Sequence, residues 1–293
     1  MKSNEILMCM AGLLCVAGAI YAFKKRSDYE RGALSTRFVK IADRRIGKKF
    51  RLVFLSDLHG NTFGEGNSLL AQCVKDTFPD AVLMGGDMVT AKEYIPKNFE
   101  PFEKLLENLQ GIKCPVYYAE GNHELRMREN VEIYPGWYDE LRQLLEAHGV
   151  RYLDDETVDV GANISVSGLK IEPEYYAKLR LKPMDKGYVR EHLHLNDDTY
   201  NVVMAHTPQY MKTYWSEGAN LVLSGHFHGG TVVLPLIGPL MSPQLIMHPK
   251  YANGASLRGE RKSVTSAGLG THSINIRINN KPEIVVIDLM PEE

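Results

Sequence analysis

The 293-residue sequence has little cysteine, and what it has is not paired. Cys9, Cys15, Cys73 and Cys114 form no C-x-x-C motif, so neither a zinc knuckle nor a disulfide framework is indicated. It lacks a charge excess of either sign. With 34 basic and 36 acidic residues the formal net charge is -2, which counts against a globally basic nucleic-acid binder. It also lacks internal repeats and low-complexity tracts. What remains is an ordinary globular composition, 44% hydrophobic and 24% charged, in a chain long enough for one large domain or two small ones.

One stretch departs from that composition. Residues 6–23, "ILMCMAGLLCVAGAIYAF", carry no charge. As a helix they would span about 27 Å, enough for a bilayer core. The expected organisation is therefore an N-terminal transmembrane anchor over residues 1–23, a polar juxtamembrane linker over 24–35 and a single domain over 36–293. The small-x-small sequence Ala17-Gly18-Ala19 offers a cleaved signal peptide as the competing reading, and a buried core helix is the third. Lys24, Lys25, Arg26 and Arg31 follow the run, while only Lys2, offset by Glu5, precedes it. The positive-inside rule then places the protein on the cytoplasmic or inner membrane with its body in the cytoplasm, the extracytoplasmic side being the alternative.

Beyond residue 36 short apolar runs recur: "RLVFLS" (51–56), "AVLMGG" (81–86), "PVYYAEG" (115–121), "YNVVMAH" (200–206) and "NLVLSGH" (220–226). Each is bounded by turn residues and reads as a buried strand. Helical patterns at 67–77, 98–110 and 136–148 lie among them, which predicts an α/β layered fold. Residues 150–169 and 262–289 alternate around Gly and Asn and read as antiparallel hairpins. Residues 170–198 are charged and weakly patterned, and read as an irregular insertion.

The strand ends carry the chemistry. The first run leads into Asp57 and His59, the second into Asp87, the third into Asn122, His123 and Glu124, the fourth into His206, and the fifth into His226 and His228. In open α/β sheets functional groups collect at the carboxyl ends of strands. A lone His or Asp there is usually a structural hydrogen-bonding or turn residue. Five successive strand ends that all finish in metal-ligand types are not explained that way. Carboxylate, imidazole and amide oxygen together suit borderline divalent ions. Seven candidate ligands are too many for one tetrahedral ion and suit two ions sharing a carboxylate, about 3.5–4 Å apart. Such a pair clamps the attacking and leaving oxygens of a phosphoryl displacement, with a bridging hydroxide as nucleophile. Gly229 and Gly230 would let backbone, or a phosphate, approach closely.

The order D-x-H, G-D, G-N-H-E, H, G-H-x-H over residues 55–230 resembles the calcineurin-like metallophosphoesterase superfamily. "SDLHG", "GHFHGG", "LPLIG" and the ending "SAGLGTHSINIRINNKPEIVVIDL" are similar to its bacterial membrane-associated YkuE/YaeI-like branch, which includes UDP-2,3-diacylglucosamine pyrophosphatase-like members. The resemblance covers about residues 38–290 and implies a four-layer αββα sandwich. It implies that Asp57, His59 and His228 hold a first ion, that Asp87 bridges, and that Asn122, His206 and His226 hold a second. It implies two divalent ions, manganese foremost, with iron, zinc or magnesium as alternatives. His123 is not a ligand in the family pattern; it stands beside the leaving group as general acid or steadies charge on the phosphoryl oxygens.

There are departures. Where protein phosphatases of the superfamily carry Asp and then Arg, this chain has Thr90 and Ala91. That counts against a protein phosphatase and leaves His123 without an identified orienting partner. Phe227 and Thr231 replace common Thr and Gln; Phe227 either walls the site or packs below the loop. Tyr134, Trp137 and Tyr138, and the stretch 232–243 with Leu236, Ile237, Leu240 and Met241, could form an apolar rim for a lipid tail or a bilayer, or simply pack. Lys170, Lys178, Arg180, Lys182, Lys186 and Arg190 could meet phosphate or headgroups, or form a solvated face. The expectation is a phosphohydrolase acting on a phosphodiester or pyrophosphate bond, in a lipid-linked or membrane-associated substrate, with no nucleic-acid partner. The alternatives are a nuclease of the same superfamily and a non-catalytic metal-binding scaffold.

Overall fold

A computed structural model describes the backbone of residues 2–177, 182–230, 232–234, 236–242, 246–271 and 275–292, and side chains at residue 8 and from residue 10 on, Arg258 excepted. Two mixed six-stranded sheets face one another. The first runs in the order Ser35–Asp43, Glu283–Pro291, Phe50–Leu55, Ala81–Met84, Val116–Tyr118, Val150–Tyr152. The second runs Gly254–Arg258, Arg261–Thr265, Leu221–Ser224, Tyr200–Ala205, Ile164–Leu169, Glu156–Gly161. Side-chain alternation explains the layering. In Phe50–Leu55, Val53 and Leu55 enter the core under the helices Ser68–Lys75, Glu100–Leu109 and Trp137–Ala147, while Leu52 and Phe54 enter the core between the sheets. Outside the second sheet, Tyr175, Tyr188, Val189, Met211 and Tyr214 pack under Val203 and Val222. The expected four α/β layers are present.

All five expected strands form, each ending within a few residues of its functional group. The first hairpin forms over part of its expected span, with Glu156–Gly161 antiparallel to Ile164–Leu169; Val150–Tyr152 instead lies in the first sheet, parallel to Val116–Tyr118. The second hairpin does not form. Arg261–Thr265 lies parallel to Leu221–Ser224 in the second sheet, and Glu283–Pro291 lies in the first, parallel to Ser35–Asp43 and antiparallel to Phe50–Leu55. Both segments send valines into the same inter-sheet core, Val264 from one side and Val285 from the other. Alternation reports a half-buried strand and is silent about which sheet receives it.

The N-terminal helix Lys2–Gly32 is one element of 31 residues. It runs on through most of the stretch expected to be a linker, because its last turns have partners. Ser27 and Glu30 are buried; Ser27 Oγ accepts from the Arg277 amide at 3.1 Å and Glu30 Oε2 from the Asn280 amide at 2.9 Å. Upstream, Met10, Leu13, Leu14, Val16, Ile20 and Tyr21 are exposed. Among the described residues no helix is long and apolar enough to cross a membrane, so the transmembrane expectation is not supported by them. The side chains of residues 6, 7 and 9, which belong to that expectation, lie outside the described set.

Candidate metal centre

Backbone conformation shows how the strand ends turn inward. Asp57, His59, Asp87, His226 and His228 all have positive φ, between 48° and 64°. Non-glycine residues enter this region at a cost of order 1–3 kcal/mol each and stay there when their surroundings fix them, most often at functional sites. The space is correspondingly tight. A Cβ on Gly225 would sit 1.9 Å from Ser56 Oγ and 2.1 Å from Asp57 Oδ2, so only glycine lets the His226 loop close over the Asp57 loop. Gly229 is close-packed for a different reason from the one its sequence suggests: Asn280 Oδ1 lies 2.3 Å from where its Cβ would be. The room that might have admitted a phosphate is taken by Asn280.

The turns bring the predicted residues together in three overlapping groups: Asp57, His59 and His228; His59, Asp87 and His123; Asp87, His206 and His226. Within each group the ligand atoms lie within 4.8 Å of one another. His206 Nε2 is 3.2 Å from Asp87 Oδ2 and 3.8 Å from Asp57 Oδ1, and His228 Nε2 is 3.5 Å from Asp57 Oδ1. His59 Nε2 is 3.6 Å from Asp87 Oδ2 and 3.3 Å from His228 Nε2. Asn122 begins the helix Asn122–Glu129, and a terminal atom of its amide lies 2.6 Å from His226 Nδ1 and 3.3 Å from Asp87 Oδ2. With its NH2 inward, the amide donates to both. With its oxygen inward, it completes a set of converging lone pairs that suits a cation. All seven proposed ligands thus meet in one place, Asn122 through its contacts to His226 and Asp87, with His59 and Asp87 each in two of the three groups.

The donor set fits divalent ions on its own chemistry. His206 donates Nδ1–H to the Gly85 carbonyl at 2.7 Å and His228 donates Nδ1–H to the Gly270 carbonyl at 3.1 Å. Both rings therefore turn Nε2 toward the carboxylates, and loss of the Nε2 proton to a metal would leave the tautomer a metal-ligating histidine needs. Asp57 and Asp87 are fully buried. Burial pushes the Asp57 carboxyl up to about 6, against the pull of His206. Burial acts on Asp87 the same way, but the imidazoles of His206, His123 and His59 outweigh it and hold its carboxyl well below the usual range. Two buried carboxylates competing for imidazole counter-charge form a site that a cation would relieve.

His123 is different. Its Nδ1 accepts the Ala91 backbone N–H at 2.8 Å. A neutral imidazole whose Nδ1 accepts must carry its proton on Nε2. His123 therefore offers a donor where the other histidines offer lone pairs, although it stands geometrically within one of the groups. Its orienting partner is the backbone of Ala91, the residue that broke the phosphatase pattern; a backbone amide leaves no mark in sequence. Glu124 locks the loop: its carboxylate accepts the amides of Asp87 and Gly121 at 2.9 and 2.8 Å and the Tyr118 hydroxyl at 2.6 Å. Burial, then the charge of Asp87, pushes Glu124 up to about 7.

Behind the ligands lies a layer that sequence reasoning missed. Arg277, 1% exposed, donates to the carbonyls of Ala267, Gly268, Gly270 and Asn280. Asn280 donates its side-chain amide to the His228 carbonyl at 2.7 Å and its backbone N–H to Glu30. The N-terminal helix is thereby two hydrogen bonds from a proposed ligand. Tyr176 was also missed; it stands 5.1 Å, ring to ring, from His226, brought there by the segment expected to be an irregular insertion.

The flanking expectations divide. Tyr134 is buried against Trp137, and Tyr138 bonds to Tyr152; they belong to the helical layer and form no rim. Phe227 is buried beside His226 and packs below the loop. Leu236 and Ile237 are exposed at the tip of the small hairpin Val233–Leu234 and Gly238–Pro239. Lys170 pairs with Asp154 at 2.7 Å and Lys182 with Glu174, which makes them a paired surface. Lys178, Arg180, Thr231 and Pro243 lie outside the described residues.

The chain belongs to the calcineurin-like phosphoesterase family, whose sequence pattern it matches over residues 50–230. Among curated relatives it is 22% identical to the uncharacterized protein YpbG of Bacillus subtilis over 97% of this chain and 98% of that protein. It is 26% identical to the uncharacterized metallophosphoesterase YkoQ of B. subtilis, over 81% of this chain and 82% of that one. It is 26% identical to the phosphodiesterase YaeI of Escherichia coli, over 82% of each chain. The protein is a metal-dependent phosphoesterase with a candidate dinuclear centre.

Proposed function

We propose that this enzyme hydrolyses a phosphodiester or pyrophosphate bond, in a lipid-linked or membrane-associated substrate such as a nucleotide-linked acyl sugar, at a two-ion centre held by Asp57, His59, Asp87, Asn122, His206, His226 and His228. The observation that carries the proposal is that two separate triads of proposed ligands, Asp57–His59–His228 and Asp87–His206–His226, each gather their ligand atoms within 4.8 Å, with Asp87 Oδ2 also 3.6 Å from His59 of the first triad; one ion would not require both. Two divalent ions there, manganese foremost, would supply Lewis acidity and an activated water. The chain's own groups do the rest. The Gly85 and Gly270 carbonyls keep His206 and His228 in the ligating tautomer. The Ala91 amide keeps the His123 proton on Nε2, from which it is delivered to the leaving oxygen or bonds a phosphoryl oxygen.

The lipid-facing half of the proposal has its own support. The exposed side chains of Leu13, Leu14, Val16 and Ile20 on the N-terminal helix, and Leu236 and Ile237 on the hairpin tip, give the molecule apolar surfaces suited to a lipid phase. The relative YaeI is a phosphodiesterase by name. The basic residues after residue 23 favour the cytoplasmic side of such a surface.

The test uses the full chain, since Glu30 of the N-terminal helix packs against the body. Bis-p-nitrophenyl phosphate and p-nitrophenyl phosphate are assayed with manganese, followed by a UDP-linked acyl sugar in mixed micelles. Diester turnover lost on chelation is the expected result. Bound metal with no turnover of any of the three would sink the hydrolase reading in favour of a metal-binding scaffold.

A further inference from the structure

Arg126 sits one helical turn beyond Asn122, with its guanidinium turned toward the centre. Its Nη1 is 3.5 Å from His123 Nε2 and 3.4 Å from the Ala91 carbonyl, and its Nη2 is 3.3 Å from the Asn122 amide. These are long contacts for a guanidinium. Among the described residues no carboxylate lies within ion-pair distance of it. Glu129, which lines the same cavity, pairs with Arg128 at 2.7 Å. The cavity, about 190 Å³, is walled by Asn122, Leu125, Arg126, Pro173 and Tyr176.

The chemistry of the Arg126–His123 contact decides what it is for. The Ala91 amide occupies His123 Nδ1, so the Nε2 facing Arg126 carries a proton. Arg126 has no acceptor to offer. Two donors 3.5 Å apart do not bond to one another, and their spacing lets both reach one acceptor oxygen placed between them. A cation without a paired carboxylate, beside a second donor and next to a proposed phosphoryl site, selects an anionic oxygen.

We propose that Arg126 is the anion-binding arm of the site: with His123 Nε2–H it holds a non-bridging oxygen of the phosphoryl group that the seven ligands address. This rests on the phosphohydrolase reading for the identity of the anion, and on the geometry of Arg126 for the arm itself. Arg126 and the ligand Asn122 share one short helix, so substrate oxygen and metal ligand are registered to each other by a single turn.

The test is titration calorimetry of inorganic phosphate into the full-length, manganese-loaded protein, with metal content measured alongside, for wild type, Arg126→Ala and Arg126→Lys. Arg126→Ala should bind phosphate ~10–100-fold more weakly, the size of a lost charge-assisted hydrogen bond. Arg126→Lys should fall between, since an ammonium keeps the charge and loses the fork. Metal content and melting temperature should stay at wild-type values. kcat/KM for bis-p-nitrophenyl phosphate should fall ~10²-fold in the alanine variant. Phosphate affinity within twofold of wild type in Arg126→Ala overturns the proposal. So does a wild type that fails to bind millimolar phosphate, or metal lost from both variants, which would make the residue structural. If phosphate binding depends on Arg126 but no phosphoester is turned over, the arm stands and the hydrolase reading fails. If turnover is strong and indifferent to Arg126, the hydrolase reading stands and the arm fails.

Discussion

The strands Phe50–Leu55, Ala81–Met84, Tyr200–Ala205 and Leu221–Ser224 deliver the front of the metal rim, each placing its functional residue within four positions of its own end. The back of the rim is assembled from Ser27 and Glu30 at one end of the chain and Arg277, Asn280 and Glu283 near the other. Both regions are buried and densely hydrogen-bonded, and they touch at the His228 carbonyl. They differ in what each residue contributes. A front residue presents a lone pair, and few residue types can do that. A back residue satisfies backbone carbonyls and amides, which many side chains could do in many ways. The front is therefore fixed by chemistry and the back by packing.

If that division is right, the largest effects lie at the front. Asn122→Ala and His226→Ala should each lower kcat/KM by ~10³-fold or more, about 4 kcal/mol of transition-state stabilisation, with the metal:protein ratio reduced and the far-ultraviolet circular dichroism unchanged. Activity surviving in both variants would overturn the two-ion arrangement. His123→Ala should cost ~10²–10⁴-fold in kcat while metal content stays at wild type, which separates the donor from the ligands. A joint loss of metal would return His123 to the ligand set.

Metal removal probes the same face through stability. Asp57 and Asp87 are buried, so chelation of bound ions should lower the unfolding free energy by about 2.7 kcal/mol relative to protein with metal at 100 times its Kd. An unchanged melting temperature would mean the centre does not hold ions. At the back, Asn280→Ala removes the group that fixes the His228 carbonyl; metal affinity should weaken ~10-fold, with activity recovered by added metal. Loss of activity that excess metal does not restore would make Asn280 part of the front.

The smallest effect lies away from both regions. Asp43 is pulled down to about 2, burial being outweighed by Arg45 and Lys262. A depressed carboxyl contributes stability that is complete above its unfolded value near 4 and is lost as pH falls through 2. Asp43→Asn should therefore cost about 1–2 kcal/mol at neutral pH and flatten the acid limb of the stability curve between pH 4 and 2, with turnover unchanged. A change in turnover would show that the far edge of the sheets is coupled to the centre.

Five strands, and the convergence of the eight candidate residues at their ends, could be read from the chain because each strand and its candidate residue are near neighbours in sequence. The apolar run says where the strand is, and the turn residue after it says what the strand delivers. The C-terminal hairpin expectation failed because alternation at Val264 and Val285 is the same whether two strands pair or face each other across the inter-sheet core. The linker expectation failed at Ser27 and Glu30 because polar residues read as solvated, and only their distant partners make them buried.

The sequence by itself determined the candidate ligand types, their order and the α/β layers, since metal chemistry and strand periodicity act over a few residues. Only the tertiary structure decided that Ala91 orients His123, that Arg126 faces it, and that Glu30 and Arg277 brace the loops behind the ligands. These contacts join backbone groups to side chains across as many as 250 positions of chain, where no local pattern records which polar group will meet which.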